Sequence, residues 1–268
     1  MFPILVHGKK KRQGKMETSV VRGRPPSRKA PNPAKPNTGV RTGMLSKETI
    51  LCCGEDAVEL LSAFQGWTPQ EEWVYRCYRV WKFTRFTLIW TGIGTGCLEP
   101  LLFEILQPSS IKSLILIGTA GALSDRMRTG QPYLLSLAEL GPTAITPHVP
   151  PLPLVPNWPS AQLRHLAPAT IISTDYYYGF TRHPNSFSRR LIVADANLSN
   201  AIPKLAQADL IDMETAQFYH FCRALRGQTL RFLALKGPAN PAADPFQQTL
   251  HSRPLLHRLA TLSLSLLL

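Results

Sequence analysis

Short apolar runs that stop at glycine or a small polar residue, alternating with stretches of helical periodicity, constrain this chain more than any other feature. Thr49–Cys53 is the first such run; it ends at Gly54 and reads as a buried strand. Glu55–Phe64 follows, with Val58, Leu60, Leu61 and Phe64 at helical spacing. Trp73–Val80 and Phe83–Trp90 read as the two strands of a hairpin turning near Lys82. Thr91–Gly96 is a glycine-rich turn leading to a helix over Leu98–Leu106. Ser113–Ile117 is a strand entering a second small-residue turn, Gly118–Ala122, and Pro132–Ala138 and Ala169–Thr174 are further strands. Ala208–Asp212 leads into a helix from Met213 to Leu225. Leu230–Leu235 is a late strand ending in Lys236-Gly237-Pro238, and Phe246–Leu268 is a terminal helix. The alternation predicts an α/β layered domain with sites at the C-terminal ends of strands.

Composition matters chiefly through charge. The formal net charge of +13 over 268 residues points, at face value, to nucleic acid or an anionic membrane surface. Residues 1–45, however, hold eleven Lys and Arg against Glu17 alone, so +10 sits there and the remaining body carries +3. That segment is rich in Pro, Gly, Asn and Ser and poor in large apolar residues. It cannot bury enough surface to offset ordering entropy and is expected to be a disordered basic tail. Nucleic acid is a partner only if this tail is functional. No apolar run approaches the roughly 18 residues of a spanning helix, so no membrane partner is expected. Five cysteines without a CxxC pair fit a reduced, cytoplasmic setting. Seven prolines mark Gly141–Ser160 as a long loop of the kind that often carries function.

Several chemistries are excluded. Gly92-Ile93-Gly94-Thr95-Gly96 lacks the third glycine of a dinucleotide-binding turn, because Cys97 stands there. The chain holds no GxxxxGK[ST], HExxH or GxSxG motif, and its seven histidines are scattered. No cofactor and no metal are therefore expected.

A different set recurs in order: Gly92–Gly96, then Ile117-Gly118-Thr119-Ala120-Gly121-Ala122, Ser173-Thr174-Asp175-Tyr176-Tyr177-Tyr178, Ile211-Asp212-Met213-Glu214-Thr215-Ala216, and Leu235–Asn240. From Ile50 to Asn240 this order resembles the nucleoside phosphorylase and nucleosidase superfamily, whose members cleave the N-glycosidic bond of nucleosides. The resemblance implies a three-layer α/β/α sandwich around a mixed central sheet over residues 46–268, and a homo-oligomer. It implies that Glu214 accepts hydrogen bonds from ribose hydroxyls, with Met213 packed on the sugar. A carboxylate there favours the oxocarbenium character that develops at C1′. Tyr177, with Tyr178 beside it, would present an aromatic face to the base. Thr119 and Gly121, with the N–H groups around Gly118, would hold water or phosphate, and Gly92 and Gly94 would form the neighbouring wall.

The departures from the family pattern bear on the reaction. Leu116 stands where hexameric phosphorylases carry a phosphate-binding arginine, and the early GDP-x-R loop is replaced by Gly54-Glu55-Asp56-Ala57. Water is thus the expected nucleophile, activated by Glu55 or Asp56, because Ala57 aligns with the nucleosidase glutamate. Asn240 replaces the aspartate that protonates the base in relatives, and Asp244 lies four residues on. The expected activity is hydrolysis of a purine-type nucleoside or related N-riboside. A phosphate-dependent phosphorylase and a non-catalytic nucleoside binder remain as alternatives.

Overall fold

The computed structural model describes residues 38–107, 110–141, 154–175, 207–242 and 252–268. Its strands are β1 (Glu48–Cys53), β2 (Glu71–Tyr75), β3 (Tyr78–Lys82), β4 (Thr87–Thr91), β5 (Ser113–Ala122), β6 (Tyr133–Leu140), β7 (Pro168–Ser173), β8 (Leu210–Asp212) and β9 (Arg231–Asn240). The helices are α1 (Ala57–Ala63), α2 (Thr95–Ile105), α3 (Ser160–Leu163), α4 (Thr215–Arg226) and α5 (Ser252–Leu267). Among the described residues no helix is long and apolar enough to cross a membrane.

The strands form one mixed sheet in the order β2-β3-β4-β1-β5-β8-β7-β6-β9. β5 also pairs in parallel with β9, so β5, β8, β7, β6 and β9 close into a ring. The two-residue strand period assigns each side chain to a layer. Ile50, Cys52, Ile115, Ile117, Leu233 and Leu235 pack with Leu60 of α1 and Leu255, Leu256 and Leu259 of α5. Their neighbours Leu51, Cys53, Leu114, Leu116, Phe232 and Ala234 pack with Leu98 and Leu101 of α2 and Phe218, Tyr219 and Cys222 of α4. Burial on both faces is what parallel strands with apolar runs require. The result is the expected three-layer α/β arrangement. Thr38, Val40 and Leu45 are buried too, Val40 and Leu45 in the same cluster as α2.

Three local readings change. The hairpin of two strands is a meander of three, β2-β3-β4, because the chain already reverses at Arg76-Cys77. Arg76 takes φ 54°, a left-handed turn conformation without the Asn-Gly or Asp-Gly signature that would announce it. Gly118–Ala122 is not a turn but the second half of β5, and Lys236–Asn240 likewise continues β9. The two segments pair with each other, with a register shift between Ala120 and Gly121. Pro238 is tolerated next to that irregularity, where a ladder need not be continuous.

Gly237 carries a packing constraint. A Cβ there would meet the Gln131 backbone oxygen at 2.5 Å and Leu255 Cδ1 at 2.6 Å. Gly237→Ala must push β9 off α5, and overpacking of this kind costs about 1–3 kcal/mol. Denaturant unfolding is expected to show that loss with the slope unchanged.

Candidate active site

Three chain segments converge where β1, β5 and β9 run parallel. Cys52 pairs with Ile117, Gly118 pairs with Lys236, and Thr119 pairs with Gly237. β8 then enters antiparallel to the far half of β5, Gly121 facing Ile211, which brings Asp212, Met213 and Glu214 beside Thr119 and Ala120. The cavity between them measures about 290 Å³ and is lined by Gly54, Glu55, Ile93, Thr119, Met213 and Glu214, with Cys53, Ala120 and Asp212 completing its wall.

The turn after β1 delivers Glu55. Gly54 has φ +73°, and a Cβ on it would lie 2.4 Å from Ile93 Cγ1, so only glycine fits this bend. The Trp90 indole N–H donates to the Glu55 backbone oxygen at 2.6 Å and fixes the turn. The Glu55 side chain then reaches across to β5, where Oε1 accepts the Thr119 backbone N–H at 2.6 Å. Glu55 and Lys236 both pass over Gly118: a Cβ there would sit in ordinary contact, 3.5 Å from Glu55 Oε1 and 3.8 Å from Lys236 Cε. Burial raises the Glu55 pKa above the ordinary carboxylate value, against the Thr119 hydrogen bonds and the Lys236 charge, which lower it.

Asp56 does something else. Its Oδ1 accepts the N–H groups of Val58 and Glu59 at 2.9 and 2.8 Å, capping α1. Asp56→Ala is expected to cost about 1 kcal/mol of stability, typical of a lost N-cap. Denaturant unfolding measures that loss, and a variant as stable as the parent would mean that the cap does not hold α1.

The other wall is a buried charge cluster. Lys236, 1% exposed, places Nζ 2.7 Å from Asp212 Oδ2 and 3.1 Å from Glu214 Oε2. Burial alone would discharge the ammonium, but the two carboxylates outweigh it and hold the lysine charged, its pKa above the usual value. Asp212 is otherwise occupied at the start of α4. It accepts from the Thr215 N–H, the Thr215 hydroxyl and the Ser173 hydroxyl, and Ser173 Oγ in turn accepts the Ala216 N–H. Glu214 is less committed. Oε1 accepts the Gly94 N–H at 2.8 Å and Oε2 accepts from Lys236. A carboxylate has about four lone-pair sites, so each oxygen keeps acceptor capacity for a ligand.

The cavity thus gathers Glu55, Thr119, Met213 and Glu214 from the residues singled out in the sequence, with Gly94 touching it through Glu214 and Gly118 beneath it. Gly92, Gly121 and Asn240 stand outside its lining; Asn240 ends β9 opposite Gly121 and is buried. Tyr177, Tyr178 and Asp244 lie outside the described residues, as do residues 1–37 of the basic tail. Lys236 is the addition the sequence reading lacked. Its signal was a lone lysine inside the apolar run Phe232–Pro238, where a solvated side chain has no place. No group of three or more His, Cys, Asp or Glu among the described residues is disposed to hold a metal ion.

Residues 50–253 match the family model of the phosphorylase superfamily, and the chain belongs to that superfamily. Solved structures share its fold. Purine nucleoside phosphorylase from Toxoplasma gondii, solved with immucillin-H, matches at TM-score 0.61 and 17% identity, over 87% of this chain and 95% of the other. Campylobacter jejuni 5′-methylthioadenosine/S-adenosyl homocysteine nucleosidase matches at TM-score 0.58 and 14% identity, over 82% and 98%. Uridine phosphorylase from Vibrio fischeri matches at TM-score 0.57 and 16% identity, over 86% and 96%. The search of curated protein sequences gave no match. Both phosphorylases and a nucleosidase stand among these structures, and at such identities the likeness concerns the fold alone.

Proposed function

We propose that this chain hydrolyses the N-glycosidic bond of a purine-type nucleoside or related N-riboside. The observation that carries the reading is the Glu55 carboxylate seated on the Thr119 N–H at 2.6 Å. A phosphate would need that donor and nearby cations. The donor is taken by a carboxylate, no Arg or Lys stands among the described residues that line the cavity, and the Lys236 ammonium is bound to Asp212 and Glu214. Three carboxylates around one ammonium repel an anion and suit a neutral nucleophile.

Glu55 takes a proton from a water whose oxygen bonds to C1′ as the C1′–N bond breaks, its electron pair leaving on the base. Glu214 accepts the ribose hydroxyls and stabilises positive charge on the sugar, with Met213 against it. Asn240 or Asp244 contacts the base in this reading, and Tyr177 or its sequence neighbour Tyr178 stacks on it. The chain acts as a homo-oligomer in this reading.

A nucleoside panel assayed with and without phosphate tests the reading by the base released. Equal rates in both conditions are expected. A strict phosphate requirement, or no release from any nucleoside, contradicts it.

A further inference from the structure

Two cysteines meet over Gly92, beside the cavity but outside its lining. The β3–β4 register pairs Tyr78 with Thr91, which sets Cys77 opposite Gly92. A Cβ built on Gly92 would lie 3.7 Å from Cys77 Cβ, 3.7 Å from Cys97 Cβ and 2.8 Å from Cys97 Sγ. The missing side chain of Gly92 is therefore the space that the thiols share. The Tyr78 hydroxyl donates to the Cys97 backbone oxygen at 3.0 Å and holds the first turn of α2 against β3. Both cysteines are half-buried, whereas Cys52, Cys53 and Cys222 are buried.

We infer that Cys77 and Cys97 form a redox-modification site, a paired dithiol that closes to a disulfide with a small-molecule disulfide as oxidant. One cysteine thiolate attacks a sulfur of glutathione disulfide and releases one glutathione thiolate. The second thiolate attacks the mixed disulfide and releases the other glutathione. The two cysteines lose two electrons and two protons, and glutathione disulfide is reduced to two thiols. Burial, with the adjoining Cys77 thiol, raises the Cys97 thiol above its ordinary value. The bond would tie the β2–β3 turn to the helix that begins just after Gly94, the residue whose N–H holds Glu214.

The test is mass analysis of the full chain, folded and incubated with glutathione disulfide, then digested with trypsin without reduction. Fragment 77–79 linked to fragment 86–112 is the expected product, with loss of two hydrogen atoms from the intact chain. Dithiothreitol should reverse it, and Cys77→Ser and Cys97→Ser should each prevent it. Each single variant should instead retain a glutathione adduct on the cysteine that remains. Failure of the two fragments to link in protein that remains folded overturns the inference, as does linkage through any other cysteine pair. This readout is independent of whether the chain turns over nucleosides.

Discussion

Glu55→Gln is expected to lower nucleoside turnover by about 10²–10⁴-fold, the range that general acid–base help supplies. The amide oxygen can still accept the Thr119 N–H that the carboxylate accepts now, so the turn after β1 keeps its shape. What is lost is the ability to take a proton from water. The pH profile separates the two effects. The base must be ionised to work, and burial raises the Glu55 pKa above the ordinary carboxylate value. Activity in the parent should therefore fall as pH drops through a midpoint above the usual glutamate value, and Glu55→Gln should lack that acid limb. A parent-like rate and limb in the variant would remove Glu55 from the reaction.

Lys236→Met is expected to destabilise the fold by about 3–5 kcal/mol, the cost of leaving one side of a buried ion pair uncompensated. The methionine would fill the space but strand Asp212 and Glu214, both nearly inaccessible, without their cation. Lys236→Arg should lose much less, because it keeps the charge. Adding Asp212→Asn to Lys236→Met should recover part of the loss by removing one orphaned charge. Denaturant unfolding measures all three, and a Lys236→Met variant as stable as the parent would mean that the cluster is not charged as drawn.

Much of the fold was legible because the local signals agree. β1 is a short apolar run closed by Gly54, and α1 follows with Asp56 at its cap and Leu60 and Ala63 on its buried face. Two-residue and helical periodicities are local properties, and they survive folding when one or both faces are buried. Glu214 was singled out through the resemblance, as part of a compact motif opening α4. The misread segments depend on distant partners. Gly118–Ala122 reads as a turn by composition, yet it is strand because β9 runs beside it with Glu55 and Lys236 filling the space above Gly118. Lys236 reads as the polar end of a strand. It is buried because the end of β8 and the start of α4, from elsewhere in the chain, bring Asp212 and Glu214 to it. The roles of Glu55 and Asp56 also divide by geometry: one residue caps α1, and its neighbour, past a left-handed glycine, crosses to β5.

The direct test of water as nucleophile is the fate of the sugar. The chain would be incubated with a cleaved nucleoside in heavy-oxygen water containing phosphate, and the sugar product examined by mass spectrometry. Free ribose carrying one heavy oxygen at C1 immediately after turnover is the expected result, with a lower yield in Glu55→Gln. Ribose 1-phosphate as the product would contradict the account.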